Sequence, residues 1–321
     1  MADSRRKRLR CAGSGSVERL SVTSQDRGSN EDYAVVLIAG AESFDSGKDG
    51  FVRMLRVLLL IAIGVYLLAV AIFFFAQRDL LYYRTHTSVP LADAQSNSAL
   101  REIEVKTQDG FDLKAWYAPA TTKPLTIVFF HGNADRLVTA AQVAVPYIDA
   151  GYGFLVTEYR GYSGLPGSPT EEGLYNDARA YLRALIARGV ESRRVVLVGQ
   201  SLGSGVCVQM ATEFPVGGVV LLSPYLSIPK VASHHFPFFP AGLLILDRYE
   251  NDSKIAGIHA PLLIVSGSRD DVVPELQARK LYALAIEPKE FRELPDRGHN
   301  DTLDAFVPVS LEWMGRACGE R

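Results

Sequence analysis

Residues 57–76 form a run of twenty amino acids without a charge, VLLLIAIGVYLLAVAIFFFA. As an α-helix, such a run would reach roughly 30 Å, which is the thickness of the hydrocarbon core of a bilayer. The buried helix of a soluble domain usually carries a polar stripe, and this run has none. The run therefore predicts a transmembrane helix over residues 54–77.

A cleaved signal peptide is the nearest alternative, but its apolar region is shorter and small residues mark its cleavage site. The segment that follows, FFFAQRDLLYYR, has no such site, which favours a retained signal anchor. Three basic residues lie shortly before the run and five more lie within the first ten residues, against Arg78 and Arg84 after it. This bias predicts a cytoplasmic N-terminus and a C-terminal domain across the membrane, with Tyr82 and Tyr83 in the far interfacial belt.

The flanks of the predicted anchor look different from each other. Residues 1–50 are rich in Ser, Gly and charge and lack hydrophobic periodicity, so we expect them to be disordered. Because Met54 opens a typical signal anchor, one hypothesis is that the native protein starts there. Recovery of peptides from the first fifty residues of the native protein would contradict it. Residues 78–98 form a polar linker, and residues 99–321 are expected to fold as one domain.

The domain begins with an alternating pattern, REIEVKTQDGFDLKAWYAP, over residues 101–119. The pair Asp109-Gly110 at its centre is typical of a hairpin turn, so the pattern predicts two antiparallel strands. One face would be filled by five apolar side chains: Ile103, Val105, Phe111, Leu113 and Ala115.

Beyond the hairpin, apolar residues come in short continuous runs instead. Such runs are typical of strands that helices cover on both sides of a parallel sheet. The runs lie at residues 125–130, 154–156, 195–198, 219–222 and 262–265. Helical stretches at residues 171–188 and 274–284 alternate with them. The predicted fold class is α/β, a mostly parallel, doubly wound sheet with an N-terminal antiparallel hairpin.

One of these runs leads directly into the motif GQSLG, which holds Ser201 between Gly199 and Gly203. A plain tight turn is one interpretation. The other is a nucleophile, because G-x-S-x-G between a strand and a helix raises a serine above the edge of the sheet. Residues 205–211 are consistent with the required helix.

A serine nucleophile needs a base and an orienting acid, which follow in the order Ser, acid, His on this kind of fold. His299 fits the base better than it fits a solvated loop histidine. Asp270 and Asp271 both stand at the position of the acid. Asp271 is also suited to cap a helix that starts near Pro274, so we favour Asp270.

The oxyanion of an acyl-transfer reaction needs two N–H donors. The first would be the backbone N–H of Leu202, directly after the serine. The second would come from His131-Gly132-Asn133, which follows the first parallel strand, and Asn133 is the best candidate. A plain turn is the alternative, since Gly-Asn pairs are common in turns.

Residues 228–249, which we call the cap segment, interrupt the alternation of strands and helices. They are either a small cap that receives an acyl chain or an ordinary helix packed on the sheet. The apolar members are Phe236, Phe238, Phe239 and residues 243–246.

Other classes of function find less support. The net charge of −2 gives no reason to expect a nucleic-acid partner. Three scattered cysteines form neither a disulfide framework nor a metal cluster, no His, Asp or Glu group has ligand spacing, and no glycine-rich phosphate loop is present. We therefore expect no cofactor and no metal. A catalytically inactive binding module stays open, although such a module has no chemical need for a serine, an acid and a histidine together.

Over about residues 99–315 the sequence resembles the α/β-hydrolase superfamily. Five segments carry this resemblance: HGNA at residues 131–134, EYRGY at 158–162, GQSLG at 199–203, the stretch 266–274, and GHND at 298–301. With its N-terminal helix the chain looks like the membrane-anchored ABHD-type serine hydrolases related to the fungal Bem46 proteins.

The resemblance implies a nucleophile at Ser201, an acid at Asp270, a base at His299, and oxyanion donors at Asn133 and Leu202. It also implies hydrolysis of esters or thioesters, with an acyl ester, an acylated protein or a lipid as substrate. The peptidase branch usually has a second glycine after the motif, where this chain has Ser204.

Overall fold

The computed structural model describes residues 46–84, 99–133 and 137–318. Most of the predicted disordered tail and of the predicted linker lies outside the described residues, and the hypothesis of a start at Met54 stays a prediction.

The first element is a helix of 36 residues, Ser46–Leu81 (α1), which extends the predicted 54–77 at both ends. Among the described residues it is the one helix long and apolar enough to cross a membrane, over Asp49–Leu81. Its most apolar window has a mean hydropathy of 3.0, and no part of that window is buried. By length and composition, α1 meets the requirement for a membrane span.

The predicted α/β fold class is confirmed. The strands are Arg101–Lys106 (β1), Asp112–Ala118 (β2), Thr126–Phe130 (β3), Gly153–Val156 (β4), Val195–Gln200 (β5), Gly218–Leu222 (β6), Leu262–Gly267 (β7) and Lys289–Leu294 (β8). They form one sheet in the order β1-β2-β4-β3-β5-β6-β7-β8. Only the pairings of β2 with β1 and with β4 are antiparallel, so the hairpin lies at one edge of a parallel sheet.

Helices connect and cover the strands. They are Leu137–Asp149 (α2), Glu171–Ala187 (α3), Leu202–Glu213 (α4), Ile228–His235 (α5), Ala241–Leu244 (α6), Asn251–Lys254 (α7), Glu275–Leu284 (α8) and Leu303–Ala317 (α9). The central strands β3, β5, β6 and β7 are buried along nearly their whole length. Two apolar clusters account for this burial: α3, α4 and α8 cover one face of the sheet, and α2 and α9 cover the other.

In the hairpin, the alternation of apolar and polar residues predicts only part of the observed burial. Leu113 and Ala115 join the cluster of the face that α3 and α4 cover, as their spacing predicts. Trp116 and Ala118 are equally buried, but in the cluster of the opposite face. Helix α2 covers this second side of β2. Alternation along the sequence predicts only one buried side, so it does not predict the burial of Trp116 and Ala118.

The expectation that Tyr82 lies at the depth of the interfacial belt stays a prediction, but its ring packs inside the protein and does not face the surroundings. Its side chain is 1% exposed and belongs to the core cluster, and its hydroxyl forms a hydrogen bond of 3.0 Å with that of Tyr249. Tyr83, in contrast, is 66% exposed. A buried tyrosine hydroxyl needs a hydrogen-bond partner, and Tyr249 provides it here.

Candidate active site

Ser201 stands on a sharp turn between the end of β5 and the start of α4. Its backbone has φ = 48° and ψ = −114°, a conformation that costs a non-glycine residue about 1–3 kcal/mol. A Cβ on Gly199 or Gly203 would come within 3.0 Å of backbone atoms of the turn or of β3. The two glycines therefore let the backbone close around the serine, which is the strand, turn and helix context that the motif requires.

The structure brings Ser201, His299 and Asp270 together, and we call these three residues the candidate triad. The His299 Nε2 atom lies 2.9 Å from the Ser201 Oγ, and its Nδ1 atom lies 2.7 Å from the Asp270 Oδ2. Each residue follows a different strand at the carboxyl edge of the sheet, where ligands of such folds bind. The histidine side chain is 9% exposed and the aspartate side chain is fully buried.

The surroundings of Asp270 determine the tautomer of His299. The Oδ1 atom accepts hydrogen bonds from the backbone N–H groups of Val272 (3.1 Å) and Val273 (2.7 Å). Both of these partners are donors, so the carboxylate acts as an acceptor toward the histidine too. Nδ1 then carries the proton, and Nε2 presents its lone pair to the serine hydroxyl.

Of the two adjacent acids, only Asp270 meets the histidine. The Asp271 side chain is exposed to solvent. Helix α8 begins at Glu275 with Pro274 before it, and no side chain caps that end, so Asp271 does not take the capping role considered for it either.

Both predicted oxyanion residues border the same cavity as Ser201. Leu202 is the first residue of α4, where the N–H groups of a helix have no partner inside it and favour negative charge. The Asn133 Oδ1 atom accepts hydrogen bonds from the Tyr83 backbone N–H (2.7 Å) and from the Tyr162 hydroxyl (3.1 Å). Burial raises the pKa of Tyr162 well above its ordinary value, so its phenol keeps the proton that it donates.

The cavity beside Ser201 has a volume of about 360 Å³, within the range of small-molecule sites. Polar residues line it on the side of the candidate triad. Pairs of aliphatic residues line it elsewhere: Leu80 and Leu81 at the end of α1, Ile228 and Val231 on α5, and Val272 and Val273 after β7. The cap segment contains two short helices, α5 and α6, and not one ordinary helix packed on the sheet. The contribution of α1 was not predicted, since sequence separation gives no hint of it.

A second group of polar residues lies next to the loop 131–133: His131, Glu158 and Ser163, which we call the buried cluster. The His131 Nε2 atom is 2.8 Å from the Glu158 Oε1, and its Nδ1 is 2.8 Å from the Gly132 carbonyl oxygen. Glu158 Oε2 accepts from the Ser163 hydroxyl at 2.5 Å. The histidine and glutamate side chains are at most 1% exposed. Sequence analysis found the segment EYRGY but not the contacts of Glu158, whose one signal is its position two residues after the end of β4.

The loop after β4 is fixed further by Arg160. Its guanidinium donates to Asp177 on α3 and to Asp109 in the hairpin turn, at 2.6–3.0 Å. Burial raises the pKa of Asp177 to about 6, although its bonds to Arg160 act in the opposite direction. The same guanidinium lowers the pKa of Asp109. This pairing holds the loop that carries Glu158, Tyr159 and Tyr162 against the sheet.

Comparison with known proteins agrees with this architecture. The model of the alpha/beta hydrolase family matches residues 127–255. An uncharacterized protein of Mycobacterium tuberculosis is 38% identical over 228 residues, which are 70% of this chain and 81% of that protein. An uncharacterized membrane protein of Saccharomyces cerevisiae is 30% identical over 223 residues, 66% of this chain and 78% of that protein.

Among solved structures, the esterase Pf2001 of Pyrococcus furiosus superposes with a TM-score of 0.60. It is 18% identical, and the match covers 74% of this chain and 97% of that one. At this identity the likeness concerns the fold. The chain belongs to the α/β-hydrolase family.

Proposed function

We propose that this protein is a membrane-anchored serine hydrolase that cleaves carboxylic ester or thioester bonds through an acyl-enzyme. The observation that carries the proposal is the hydrogen-bonded line from Ser201 through His299 to Asp270, with contacts of 2.9 and 2.7 Å. Such a line activates a hydroxyl that is otherwise a weak nucleophile at neutral pH.

Acylation follows from these roles. His299 Nε2 accepts the proton of the Ser201 hydroxyl while Oγ attacks the acyl carbon and forms a tetrahedral intermediate. Asp270 stabilises the resulting imidazolium and keeps its ring in place. The imidazolium then gives its proton to the alkoxide or thiolate leaving group as the bond between it and the acyl carbon breaks.

The negative oxygen of the intermediate needs donors in fixed positions. The backbone N–H groups of Leu202 and Asn133 are proposed for this task, because both residues border the cavity next to the nucleophile. Loss of one such donor typically lowers kcat by about 10²–10³-fold. In the second half of the reaction, water attacks the acyl-enzyme, with His299 again accepting and returning the proton.

The substrate class follows from the walls of the cavity. Three pairs of aliphatic residues line the cavity of the nucleophile, beside polar residues near the candidate triad, and such an apolar part suits the chain of an acyl group. The substrate is therefore an acyl ester, an acylated protein or an acylated lipid. A peptidase of the same fold is the rival that a panel of substrates has to separate.

Helix α1 is proposed as the membrane anchor. Its composition and the membrane protein among the relatives support this role. The excess of basic residues before the helix favours a cytoplasmic N-terminus and a hydrolase domain on the far side.

The test is labelling of the detergent-solubilised full chain with a fluorophosphonate probe, which reacts with activated serines. We expect wild type and Ser163→Ala to be labelled and Ser201→Ala to remain unlabelled. Ser163 is a matched control, since it also has a positive φ and also lies near a histidine and an acid. No labelling of folded wild type would favour a binding module.

If labelling occurs, p-nitrophenyl esters, acyl thioesters and peptide amides would be compared as substrates. Faster cleavage of peptides would favour the peptidase.

A further inference from the structure

The cap segment contains an apolar stretch that the proposed reaction does not use. Residues 236–246 read FPFFPAGLLIL, eleven positions without a polar side chain. Several of these side chains point away from the protein: Phe238 is 86% exposed, Leu243 is 87% exposed, and Phe236 and Leu246 are about half exposed. A contiguous apolar patch of this kind marks an interaction surface.

This stretch lies directly beside the last turns of helix α1. The ring of Phe73 packs against those of Phe236 and Phe239, with centroids 5.5 and 5.8 Å apart. Phe73 belongs to the uncharged run 57–76 that is proposed to lie in the hydrocarbon of the bilayer. Phe236 and Phe239, which contact Phe73, would then lie at the same depth in the bilayer as Phe73.

The two apolar stretches also end at the same level. The run in α1 ends at Ala76, and the polar residues Gln77 and Arg78 follow. The run in the cap segment ends at Leu246, and Asp247 follows. An ion pair of 2.8 Å joins Arg78 to Asp247, so the first charge after each stretch meets the other.

The backbone of the stretch is suited to an apolar surrounding. Lipid offers no hydrogen bonds, so N–H groups there must be satisfied by the protein. Pro237 and Pro240 have no N–H group. Seven of the other nine N–H groups donate to carbonyl or side-chain oxygens of the protein, including that of Leu246, which donates to the Gln77 Oε1 at 2.8 Å.

We propose that residues 236–246 insert into the hydrocarbon of the bilayer beside helix α1, as a second membrane-contacting element. Phe238 and Leu243 are the side chains that enter the lipid, and the pair Arg78–Asp247 marks the boundary with the head groups. A bilayer surface fits better than a second protein because the stretch continues the membrane-facing surface of α1 at the same depth.

The position of the cavity then defines the substrate, a step that rests on the proposed hydrolase function. Leu80 and Leu81 border the cavity within one turn of Arg78, and α5 leads from the cavity to the inserted stretch. The candidate triad therefore lies just outside the hydrocarbon, at the level of the ester and thioester bonds of membrane-bound acyl compounds. The substrate is an acyl chain that enters from the bilayer and not from water.

Insertion is tested with the full chain in phosphatidylcholine vesicles. Phe238→Cys and Leu243→Cys are labelled with an environment-sensitive fluorophore in a background that carries Cys11→Ser and Cys318→Ser; Cys207 is buried and is kept. Ile186→Cys, at an exposed position near the end of α3, is the matched control. We expect blue-shifted emission and quenching by lipids with brominated acyl chains at 238 and 243, and neither at 186.

Emission at 238 and 243 equal to that at 186 would overturn insertion. A blue shift without quenching by the brominated lipids would also overturn it, in favour of contact with another protein. The fluorophores report depth whether or not the protein is a hydrolase, so the fluorophosphonate result stands apart from this one.

The substrate step has its own measurement. In the double variant Phe238→Ser, Leu243→Ser, hydrolysis of a short water-soluble ester is expected to stay at the wild-type rate, because neither side chain borders the cavity. Hydrolysis of a long-chain ester embedded in vesicles is expected to fall by about fivefold or more, since the cavity loses its contact with the bilayer. Equal rates of the variant and wild type on the embedded ester would contradict delivery of the substrate from the membrane.

Discussion

The candidate triad and the buried cluster contain the same types of side chain, a serine, a histidine and a carboxylate, but they arrange them differently. In the candidate triad the histidine lies in the middle, with contacts of 2.9 Å to Ser201 and 2.7 Å to Asp270. In the buried cluster the carboxylate of Glu158 lies in the middle, between His131 and Ser163. The order decides the chemistry, because a serine that donates to a carboxylate has no neutral base to take its proton.

The atoms that the two histidine rings face differ as well. Both ring nitrogens of His131 face oxygen atoms of other groups, the Gly132 carbonyl and the Glu158 carboxylate, so neither of them faces the Ser163 hydroxyl. His299 faces an acceptor at Nδ1 and a hydroxyl at Nε2, which leaves a lone pair for catalysis. The buried cluster is therefore suited to hold the loop 131–133, and the candidate triad is suited to move protons.

Replacement of the two serines should give the largest contrast. Ser201→Ala is expected to lower kcat for a p-nitrophenyl ester by about 10⁴-fold or more, because the nucleophile is lost. Ser163→Ala should keep the rate within a few-fold of wild type and instead lower the free energy of unfolding by about 1.5–3 kcal/mol, as a bond to a buried carboxylate is lost. Ester hydrolysis and urea denaturation of the two purified variants measure both effects. A loss of activity in Ser163→Ala as large as in Ser201→Ala would remove the distinction between the groups.

The acids should differ in what their loss affects. Asp270→Asn is expected to lower kcat by about 10³–10⁴-fold with little change in folding, since the amide favours the wrong tautomer of His299. The check is a steady-state rate together with a circular dichroism spectrum. An Asp270→Asn enzyme that keeps more than a tenth of the wild-type kcat would contradict the role of this acid.

Glu158→Ala should affect stability first. It leaves His131 without its partner in a fully buried position, and removal of one member of a buried pair costs about 3–5 kcal/mol. The free energy of unfolding in urea measures this loss, and Ser201→Ala serves as a control that should stay close to wild type. A Glu158→Ala protein as stable as the control would show that the pair does not hold the loop.

The smallest effect is expected from the neighbour of the candidate acid. Asp271 is exposed, and Asp271→Asn should change kcat/KM by about twofold or less, since the effects of exposed substitutions are usually small. The rate of this variant is compared with that of Asp270→Asn. The comparison distinguishes two adjacent carboxylates that are both candidates for the triad acid in the sequence. A loss as large as that of Asp270→Asn would exchange their roles.

The sequence by itself determined the features that depend on local stereochemistry and on periodic burial. The parallel strands follow from continuous apolar runs such as residues 195–198, and the hairpin follows from alternation around Asp109-Gly110. The turn at Ser201 follows from two glycines that leave room for the backbone. The chain order of Ser201, Asp270 and His299 was sufficient to name the candidate site, because the ends of parallel strands meet at one edge.

Only the tertiary structure decided the contacts between segments far apart in the chain. Nothing local indicates that Tyr82 is buried against Tyr249, that Leu80 and Leu81 border the cavity of Ser201, or that Asp270 and not Asp271 meets His299. Nor did the pattern decide between a cap and an ordinary helix for residues 228–249, since short helices and packed helices share the same apolar residues. Such choices depend on packing and hydrogen bonding between elements, whose free energy is set by three-dimensional neighbours and not by spacing along the chain.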